Sequence, residues 1–196
     1  MHRGYLCLLL HTHLPFVRHP EQENFLEENW LFEAISETYI PLINVFEGLI
    51  RDGVDFRITM SMTPPLVSML QDELLQGRYI RHLDKLIELS EKEIERTGFE
   101  PHYHGLALMY HKRFTDSKDL FINTYNRDLV SAFKKFQDAG YVEIIGSCAT
   151  HGFLPNLGVN PSDVKAQINV GVDHYKRFSR HSRGDFGCLN ADLFLG

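Results

Sequence analysis

The chain has 196 residues, of which 43% are hydrophobic, 12% aromatic and 23% charged, a composition typical of a folded globular domain. Its formal net charge of −6, without a cluster of lysine and arginine, argues against a nucleic-acid partner. No stretch approaches the roughly 20 apolar residues of a membrane-spanning helix. The three cysteines form no CxxC pair, and we expect free thiols in the reducing cytoplasm.

Three short apolar segments have the composition of buried parallel strands. They cover residues 4–10, 55–62 and 141–148, and glycine or polar residues bound each of them. Helical segments separate the strands, so the order along the chain predicts right-handed parallel crossovers in an α/β domain.

Five helical segments are predicted, two of them (residues 29–52 and 79–96) from apolar residues at helical spacing and the others from start and stop residues. They cover residues 29–52, 63–76, 79–96, 119–139 and 161–180. We expect Pro41 to divide or kink the first of them, because proline cannot donate a helical hydrogen bond. Thr63 and Pro64 are predicted to begin the second helix, and Gly77 to end it.

Three histidines follow the predicted strands at the ends where α/β folds place their active sites. His11 and His13 follow the first strand, and His151 follows the third. Their i, i+2 spacing puts His11 and His13 on one face if the strand continues that far. We therefore expect the three imidazoles to share one site.

Two chemistries suit such a cluster, and spacing does not choose between them. Imidazoles are common metal ligands, and an HxH pair after a first barrel strand is what metal-dependent amidohydrolases use. Imidazole N–H groups can also donate to sugar hydroxyls while aromatic faces cover the sugar ring.

The remaining aromatic and histidine candidates carry weaker signals. His102, His104 and His111 fall between predicted strands, and we interpret them as loop or surface residues. Trp30 is the only tryptophan. Its default role is core packing, and lining a sugar site is the alternative that makes it a candidate substrate-binding residue.

Two motifs resemble those of family 57 glycoside hydrolases, most closely the 1,4-α-glucan branching enzymes. "HTHLPFVRHPE" with "NWLFEAISETYIPL" resembles the N-terminus of the family, and "GSCATHGFLP" is similar to its second signature. The resemblance extends from about residue 4 to about residue 180. The two motifs together are specific, whereas HxH alone would be a weak signal.

The resemblance implies a fold, a reaction and a set of roles. It implies a seven-stranded (β/α) TIM-like barrel, of which this chain holds the first three strand–helix units, and a retaining mechanism on α-glucans without metal or cofactor. A branching enzyme cleaves an α-1,4 bond and transfers the glucan to a 6-hydroxyl, forming an α-1,6 branch in glycogen- or starch-type polymers. By the match, His11, His13 and His151 bind and orient the sugar. Trp30 is kept as a candidate substrate-binding residue on its aromatic character alone.

The two catalytic carboxyls of a retaining glycosidase, roughly 5–5.5 Å apart, are not recognisable in the chain. The family takes its nucleophile from the end of strand four, in a pattern like Trp-Leu-Pro-Glu-Cys-Gly, and an aspartate far downstream is the acid/base. No glutamate follows Glu143, and residues 184–196 read "GDFGCLNADLFLG". We assign residues 1–183 to the family barrel and residues 184–196 to a non-family tail, whose Asp185 and Asp192 receive no catalytic role.

The genetic code suggests an origin for that tail. Codons for residues 185–192, read from each third base, permit Phe-Trp-Leu-Pro-Glu-Cys-Gly. We therefore hypothesise a frameshift just before strand four, and expect no branching activity from this chain alone. The coding DNA tests this: without a single-base change that restores a long downstream frame, the hypothesis is wrong.

Other functions remain open on the sequence. An α-amylase or a 4-α-glucanotransferase of the same family would share these motifs. A metal-dependent hydrolase would use His11 and His13 as ligands, and a non-catalytic glucan-binding protein would need only the histidine site. In each glucan-directed case the partner is an α-glucan such as amylose or glycogen.

Overall fold

The computed structural model describes residue 4 and residues 6–179 of the chain. These residues form two compact units. The sheet unit contains the described residues up to Phe16, Leu49–Met69, and the described residues from Phe133 onward. The helical unit contains Val17–Gly48 and Leu70–Ala132. The tail from residue 184, with Asp185 and Asp192, lies outside the described residues.

The described residues contain three strands, eight α-helices and two π-helical turns. The strands are β1 (Leu9–His11), β2 (Ile58–Ser61) and β3 (Val142–Ile145). The α-helices are α1 (Glu28–Ala34), α2 (Ile40–Arg51), α3 (Pro64–Leu70), α4 (Glu73–Arg96), α5 (Pro101–Asp119), α6 (Leu129–Asp138), α7 (Leu154–Leu157) and α8 (Pro161–Ser179). The π-helical turns are Ile35–Tyr39 and Leu120–Thr124.

The three predicted strands form one parallel sheet in the order β1-β2-β3. His11 pairs with Ser61 in the first ladder, and Ser61 pairs with Ile145 in the second. The prediction of an α/β fold is therefore confirmed for this part of the chain. The prediction that the first strand is buried is wrong. Leu9 is 50% exposed, because β1 pairs on one side only among the described residues.

The buried side chains of the sheet unit come from β2, β3 and the helices that follow them. They include Met60, Met62, Leu66, Val67, Met69, Phe133, Phe136, Val142, Ile144, Ile145, Leu154 and Tyr175. Removing this apolar surface from water stabilises the ends of β2 and β3, from which the polar loops described below begin.

In the helical unit, Pro41 has a different effect from the one predicted. The chain stays helical from Glu28 to Arg51, and a π-helical turn over Ile35–Tyr39 joins α1 to α2. The N–H of Ile40 donates to the carbonyl of Ile35, five residues earlier. This wider turn precedes a proline that has no N–H to donate, so the irregularity lies before Pro41 and the helix does not end there.

The predicted helix over residues 63–76 is shorter than expected. Thr63 and Pro64 do begin α3, but it ends at Leu70 and α4 begins at Glu73. The Asp72 carboxylate caps α4 by accepting from the Leu75 N–H at 3.0 Å. Gly77 consequently lies inside α4, where it was expected to end a helix. The aspartate cap was the stronger boundary signal.

The segment with His102, His104 and His111 is helix α5, so its interpretation as loop is wrong. Its apolar residues Leu106, Leu108, Met109 and Tyr110 are 40–47% exposed and point in several directions around the helix, so they do not indicate a single buried stripe. The Nδ1 of His104 lies 3.2 Å from the Ile94 carbonyl, and the Nδ1 of His111 lies 3.0 Å from the Ser90 hydroxyl. These two histidines join α5 to α4.

Tyr79 on α4 contacts both π-helical turns. Its hydroxyl hydrogen-bonds with the Ser36 hydroxyl at 2.8 Å, and the Phe121 ring meets it edge-on with 4.9 Å between centroids. The other buried side chains of the helical unit include Leu31, Phe32, Ile35, Tyr39, Ile40, Ile43, Phe46, Leu75, Leu83, Tyr125, Leu129 and Val130. None of the helices described is both long and apolar enough to span a bilayer.

Candidate functional site

His11 and His13 flank a residue that anchors the end of β1 to β2. The N–H of the buried Thr12 donates to the Ser61 hydroxyl at 3.2 Å, and the Thr12 hydroxyl donates to the Ser61 carbonyl. Side chains alternate along an extended chain, so fixing Thr12 against β2 sends both histidines to the other side. The HxH spacing thus has a local structural cause.

His151 lies in the loop after β3, in the left-handed region of the backbone. Its φ is +56°, which histidine adopts more readily than most residues with a Cβ. The His151 N–H donates to the Cys148 carbonyl at 3.0 Å, and the Cys148 thiol donates to the Gly152 carbonyl at 3.2 Å. These bonds close a tight turn that presents the His151 ring.

Helix α8 holds this loop through Gln167. The side-chain carbonyl of Gln167 accepts from the Thr150 N–H at 3.0 Å, and its amide donates to the Thr150 hydroxyl at 2.8 Å. The Gln167 backbone carbonyl also accepts from the Ala149 N–H at 3.0 Å. The position of His151 therefore depends on α8.

Two glycines allow the same helix to approach the loop closely. A Cβ on Gly171 would lie 3.0 Å from the Ser147 carbonyl oxygen, and a Cβ on Gly146 would overlap the Tyr175 ring. No pattern in the sequence pointed to Gln167 or to these glycines. An isolated glycine inside a helix, as at Gly171, is the signal that could have indicated close packing there.

The structure brings the three predicted histidines together. The Nε2 atoms of His11 and His13 are 3.3 Å apart, and their ring centroids are 4.2 Å apart in an edge-on arrangement. The centroids of His13 and His151 are 3.9 Å apart. The Nδ1 of His13 is buried and has no hydrogen-bond partner in the described part of the chain.

The surroundings of His13 and His151 favour the neutral form of these two imidazoles. Burial lowers the pKa of His13, and the nearby His151 and His11 lower it further. Burial and the charge of His11 likewise lower the pKa of His151. A neutral imidazole has one N–H donor and one acceptor nitrogen. The cluster can thus hydrogen-bond to hydroxyl groups in both directions.

Among the described residues, no group of three or more histidine, cysteine, aspartate or glutamate side chains is arranged to hold a metal ion.

The fourth candidate residue, Trp30, belongs to the helical unit. It lies on α1 and is 49% exposed, so the default interpretation as a core residue is wrong. An indole face that is open to solvent is available to stack on a ligand.

Comparison with known proteins assigns the family. Residues 7–187 match the sequence profile of glycosyl hydrolase family 57. The chain belongs to this family. The family 57 resemblance of the histidine motifs is therefore confirmed over most of the sequence.

Relatives include enzymes of two activities. The 1,4-alpha-glucan branching enzyme TK1436 of Thermococcus kodakarensis is 38% identical over 183 residues, which are 93% of this chain and 26% of that enzyme. The crystal structure of the novel alpha-amylase AmyC from Thermotoga maritima is 48% identical with a TM-score of 0.84, covering 93% of this chain and 35% of that one. The GH57-type branching enzyme from Pyrococcus horikoshii is 34% identical with a TM-score of 0.82, covering 91% of this chain and 33% of that one.

The family 57 chain described here spans about a quarter of the length of the curated relative and about a third of the solved chains. The similarity therefore concerns one portion of longer enzymes. A structure of the Thermococcus enzyme in complex with glucose and additives is also similar, with a TM-score of 0.82 and 36% identity.

Proposed function

We propose that this chain provides the sugar-binding histidines of an α-glucan-active family 57 enzyme, with a 1,4-α-glucan branching enzyme as the leading assignment. The observation that carries the proposal is the position of the His13 ring, whose centroid lies 4.2 Å from that of His11 after β1 and 3.9 Å from that of His151 after β3. The relation to a branching enzyme over 93% of the chain supports the assignment. An α-glucan-processing enzyme of this kind would act in the cytoplasm.

The fold that we propose for the complete enzyme is a seven-stranded (β/α) barrel, of which the sheet unit provides the first three strands. Parallel strands that are neighbours in sequence order and joined by helices are consistent with a barrel segment. TM-scores of 0.82 to 0.84 to longer family members support the same arrangement. In barrels the residues after the strand ends build the active site, which is where the histidines lie.

The chemistry of the cluster suits a glucosyl unit. Neutral imidazoles can donate to one sugar hydroxyl and accept from another, which fixes the orientation of the ring. Within the residues that the structure describes, the Nδ1 of His13 has no hydrogen-bond partner, which leaves the cluster one unused polar position. The similar Thermococcus enzyme has been solved with glucose, which makes glucose a suitable first ligand. We also assign Trp30 a substrate-binding role, through stacking of its exposed indole on a sugar ring.

The retaining reaction needs two groups that we do not assign to this chain. A carboxylate nucleophile must attack the anomeric carbon while a carboxylic acid protonates the leaving oxygen. No glutamate follows Glu143 in the sequence. We propose that the chain alone binds glucan without turning it over, and that residues 184–196 depart from the barrel. The family match ends at residue 187, which supports a boundary near this point.

A second candidate within the family is an α-amylase. The identity of 48% to the Thermotoga enzyme is higher than the 34% to the Pyrococcus branching enzyme, and this observation supports the α-amylase as the second candidate. A 4-α-glucanotransferase remains a third possibility by resemblance. Incubation of the intact enzyme with amylose separates these activities, because branching forms α-1,6 linkages, hydrolysis releases reducing ends, and disproportionation changes chain lengths only.

Calorimetric binding of maltoheptaose to this chain tests the proposal. We expect His151→Gly to weaken binding about tenfold or more, since it removes an imidazole while glycine retains the left-handed backbone. His102→Ala, at an exposed position on α5, is the matched control and should leave binding unchanged. Equal affinity of the His151 variant and the parent chain would contradict the proposed sugar site. Formation of α-1,6 branches by this chain alone would contradict the proposal that it binds glucan without turning it over.

A further inference from the structure

The helical unit contains a cavity unrelated to the histidine cluster. It lies between the segment Glu23–Asn29 and one face of α4, and its volume is about 400 Å³. This volume is within the range of pockets that bind small molecules.

Four basic residues of α4 line this cavity. Arg78, Arg81, His82 and Lys85 are spaced i, i+3, i+4 and i+7, which places them on one face of the helix. The face is therefore basic along two turns. Burial lowers the pKa of His82, which favours the neutral, hydrogen-bonding form of this imidazole beside the arginine and lysine side chains.

Arg78 is a buried residue in the lining of the cavity. Its side chain is only 7% exposed and pairs with the carboxylate of Glu28, which is 2% exposed. The guanidinium also donates to the carbonyls of His19, at 3.1 Å, and Gln22. Arg78 thus holds the loop before α1 against α4, and its charge is matched by Glu28.

Arg81 and Lys85 carry charges that are not matched in the same way. Both are exposed, and neither takes part in an ion pair within 4.0 Å in the described part of the chain. Like charges at i and i+4 destabilise a helix, so an anion between them would relieve repulsion. Three carboxylates are nearby: Glu23 and Glu28 line the cavity, and the charge of Glu33 acts on His82.

The wall beside these cations is aromatic. The rings of Phe32 and His82 are tilted against each other with 5.2 Å between centroids, and both residues line the cavity. The amides of Asn24 and Asn29 add hydrogen-bonding groups. A ligand with an anionic group and a compact polar body fits this combination.

We propose that this cavity binds a small phosphate monoester, with the phosphate between Arg81 and Lys85 and the organic part against the wall formed by Phe32 and His82. Guanidinium and ammonium groups form charge-assisted hydrogen bonds to phosphate oxygens, and an arginine can do so in a bidentate manner. The phosphate group defines the class of ligand. The organic part of the ligand determines how much its contact with Phe32 and His82 adds to the affinity.

Isothermal calorimetry on the whole chain at low ionic strength tests this site. The probes are glucose 6-phosphate, inorganic phosphate and glucose. We expect the sugar phosphate to bind, and Arg81→Ala with Lys85→Ala to weaken it about tenfold or more. Lys92→Ala with Arg96→Ala is the matched control, because it removes the same charge from an i, i+4 pair on the same helix.

Each outcome separates the alternatives. If inorganic phosphate binds as tightly as the sugar phosphate, the anion site is supported and the organic part contributes nothing to the affinity. The proposal is overturned if glucose binds as tightly as glucose 6-phosphate. It is also overturned if the Lys92/Arg96 control loses as much affinity for the sugar phosphate, or if neither phosphate probe binds. Circular dichroism verifies folding, and the single variant Arg81→Gln repeats the test with a smaller change. Maltoheptaose binding at the histidine cluster is expected to persist in these variants, so failure here does not affect the proposed function.

Discussion

The Nε2 atoms of His11 and His13 face each other across 3.3 Å at the end of β1. Two neutral imidazoles satisfy this contact when one nitrogen carries a proton and the other accepts it. Two protonated imidazoles would place donors and positive charges against each other. The contact therefore links the geometry of the cluster to its protonation.

Acidification is predicted to destabilise the fold. Burial lowers the pKa values of His13, His82, His151 and His174 below the ordinary histidine value of 6.5. The unfolded state then binds more protons than the folded state as the pH falls through 6.5, so the free energy of unfolding decreases. At higher pH this contribution is fully present.

Thermal melts across this pH range measure the effect. The double variant His82→Gln and His174→Gln should show a shallower fall in melting temperature below pH 6.5 than the parent chain. His102→Gln, at an exposed position, should leave the slope unchanged. A melting temperature that rises on acidification would contradict this prediction.

A methyl group at Gly146 is predicted to destabilise the sheet unit. The Cβ of alanine at this position would overlap the Tyr175 ring, and overpacking of this kind typically costs about 1–3 kcal/mol. Tyr175→Ala should recover part of the loss in the double variant, because it removes the obstructing ring. Urea unfolding of the single and double variants measures this coupling.

Gly105→Ala is the matched control for Gly146, and it is expected to raise the free energy of unfolding. Gly105 lies inside α5, and a Cβ there would meet no atom within 4 Å. Alanine in a helix interior is favoured over glycine by about 0.5–1 kcal/mol, so this variant should be more stable than the parent chain. Equal destabilisation at both glycines would contradict the packing described for Gly146.

Gln167 is predicted to position His151 for binding. Gln167→Ala removes both side-chain hydrogen bonds to Thr150 and should lower the free energy of unfolding by about 1 kcal/mol. The larger effect is expected on maltoheptaose affinity, because the loop that carries His151 loses its tether. Gln137→Ala on α6 is a suitable control. Unchanged affinity in the Gln167 variant would assign the residue a structural role only.

The buried pair of Arg78 and Glu28 is predicted to be a strong stability determinant of the helical unit. Removing one partner, as in Glu28→Leu, leaves an unmatched buried charge and should cost about 3–5 kcal/mol. The double variant Arg78→Met, Glu28→Leu should cost less than the sum of the two single changes. Additive losses measured by denaturant unfolding would mean that the two charges do not depend on each other.

Much of the sheet unit was predictable from the sequence because short apolar runs bounded by glycine identify strands. The positions of His11, His13 and His151 after those strands then follow from the parallel arrangement. The exposure of β1 was not predictable, since an edge strand and a central strand can have the same apolar composition. The loop tether by Gln167 was not predictable either, because no local pattern relates α8 to residues 149–150.

The helical unit was predicted less well, for local reasons. Gly77 suggested a helix end, but the Asp72 cap and the packing of α4 around Tyr79 overrode it. Pro41 suggested a break, but the helix continues because a π-helical turn precedes the proline, which has no N–H to donate. Helix α5 was missed because its apolar residues do not form one stripe. Contacts with α4, such as that of His111 with Ser90, are made by residues distant in sequence.

Histidine side-chain NMR of the whole chain, titrated with maltoheptaose, tests the central claim most directly. If His11, His13 and His151 surround one glucosyl unit, their ring nitrogen signals should shift together and with one dissociation constant, while those of His102 stay unchanged. Ring signals of these three histidines that do not respond to the saccharide, or that respond with unrelated affinities, would contradict a shared sugar site.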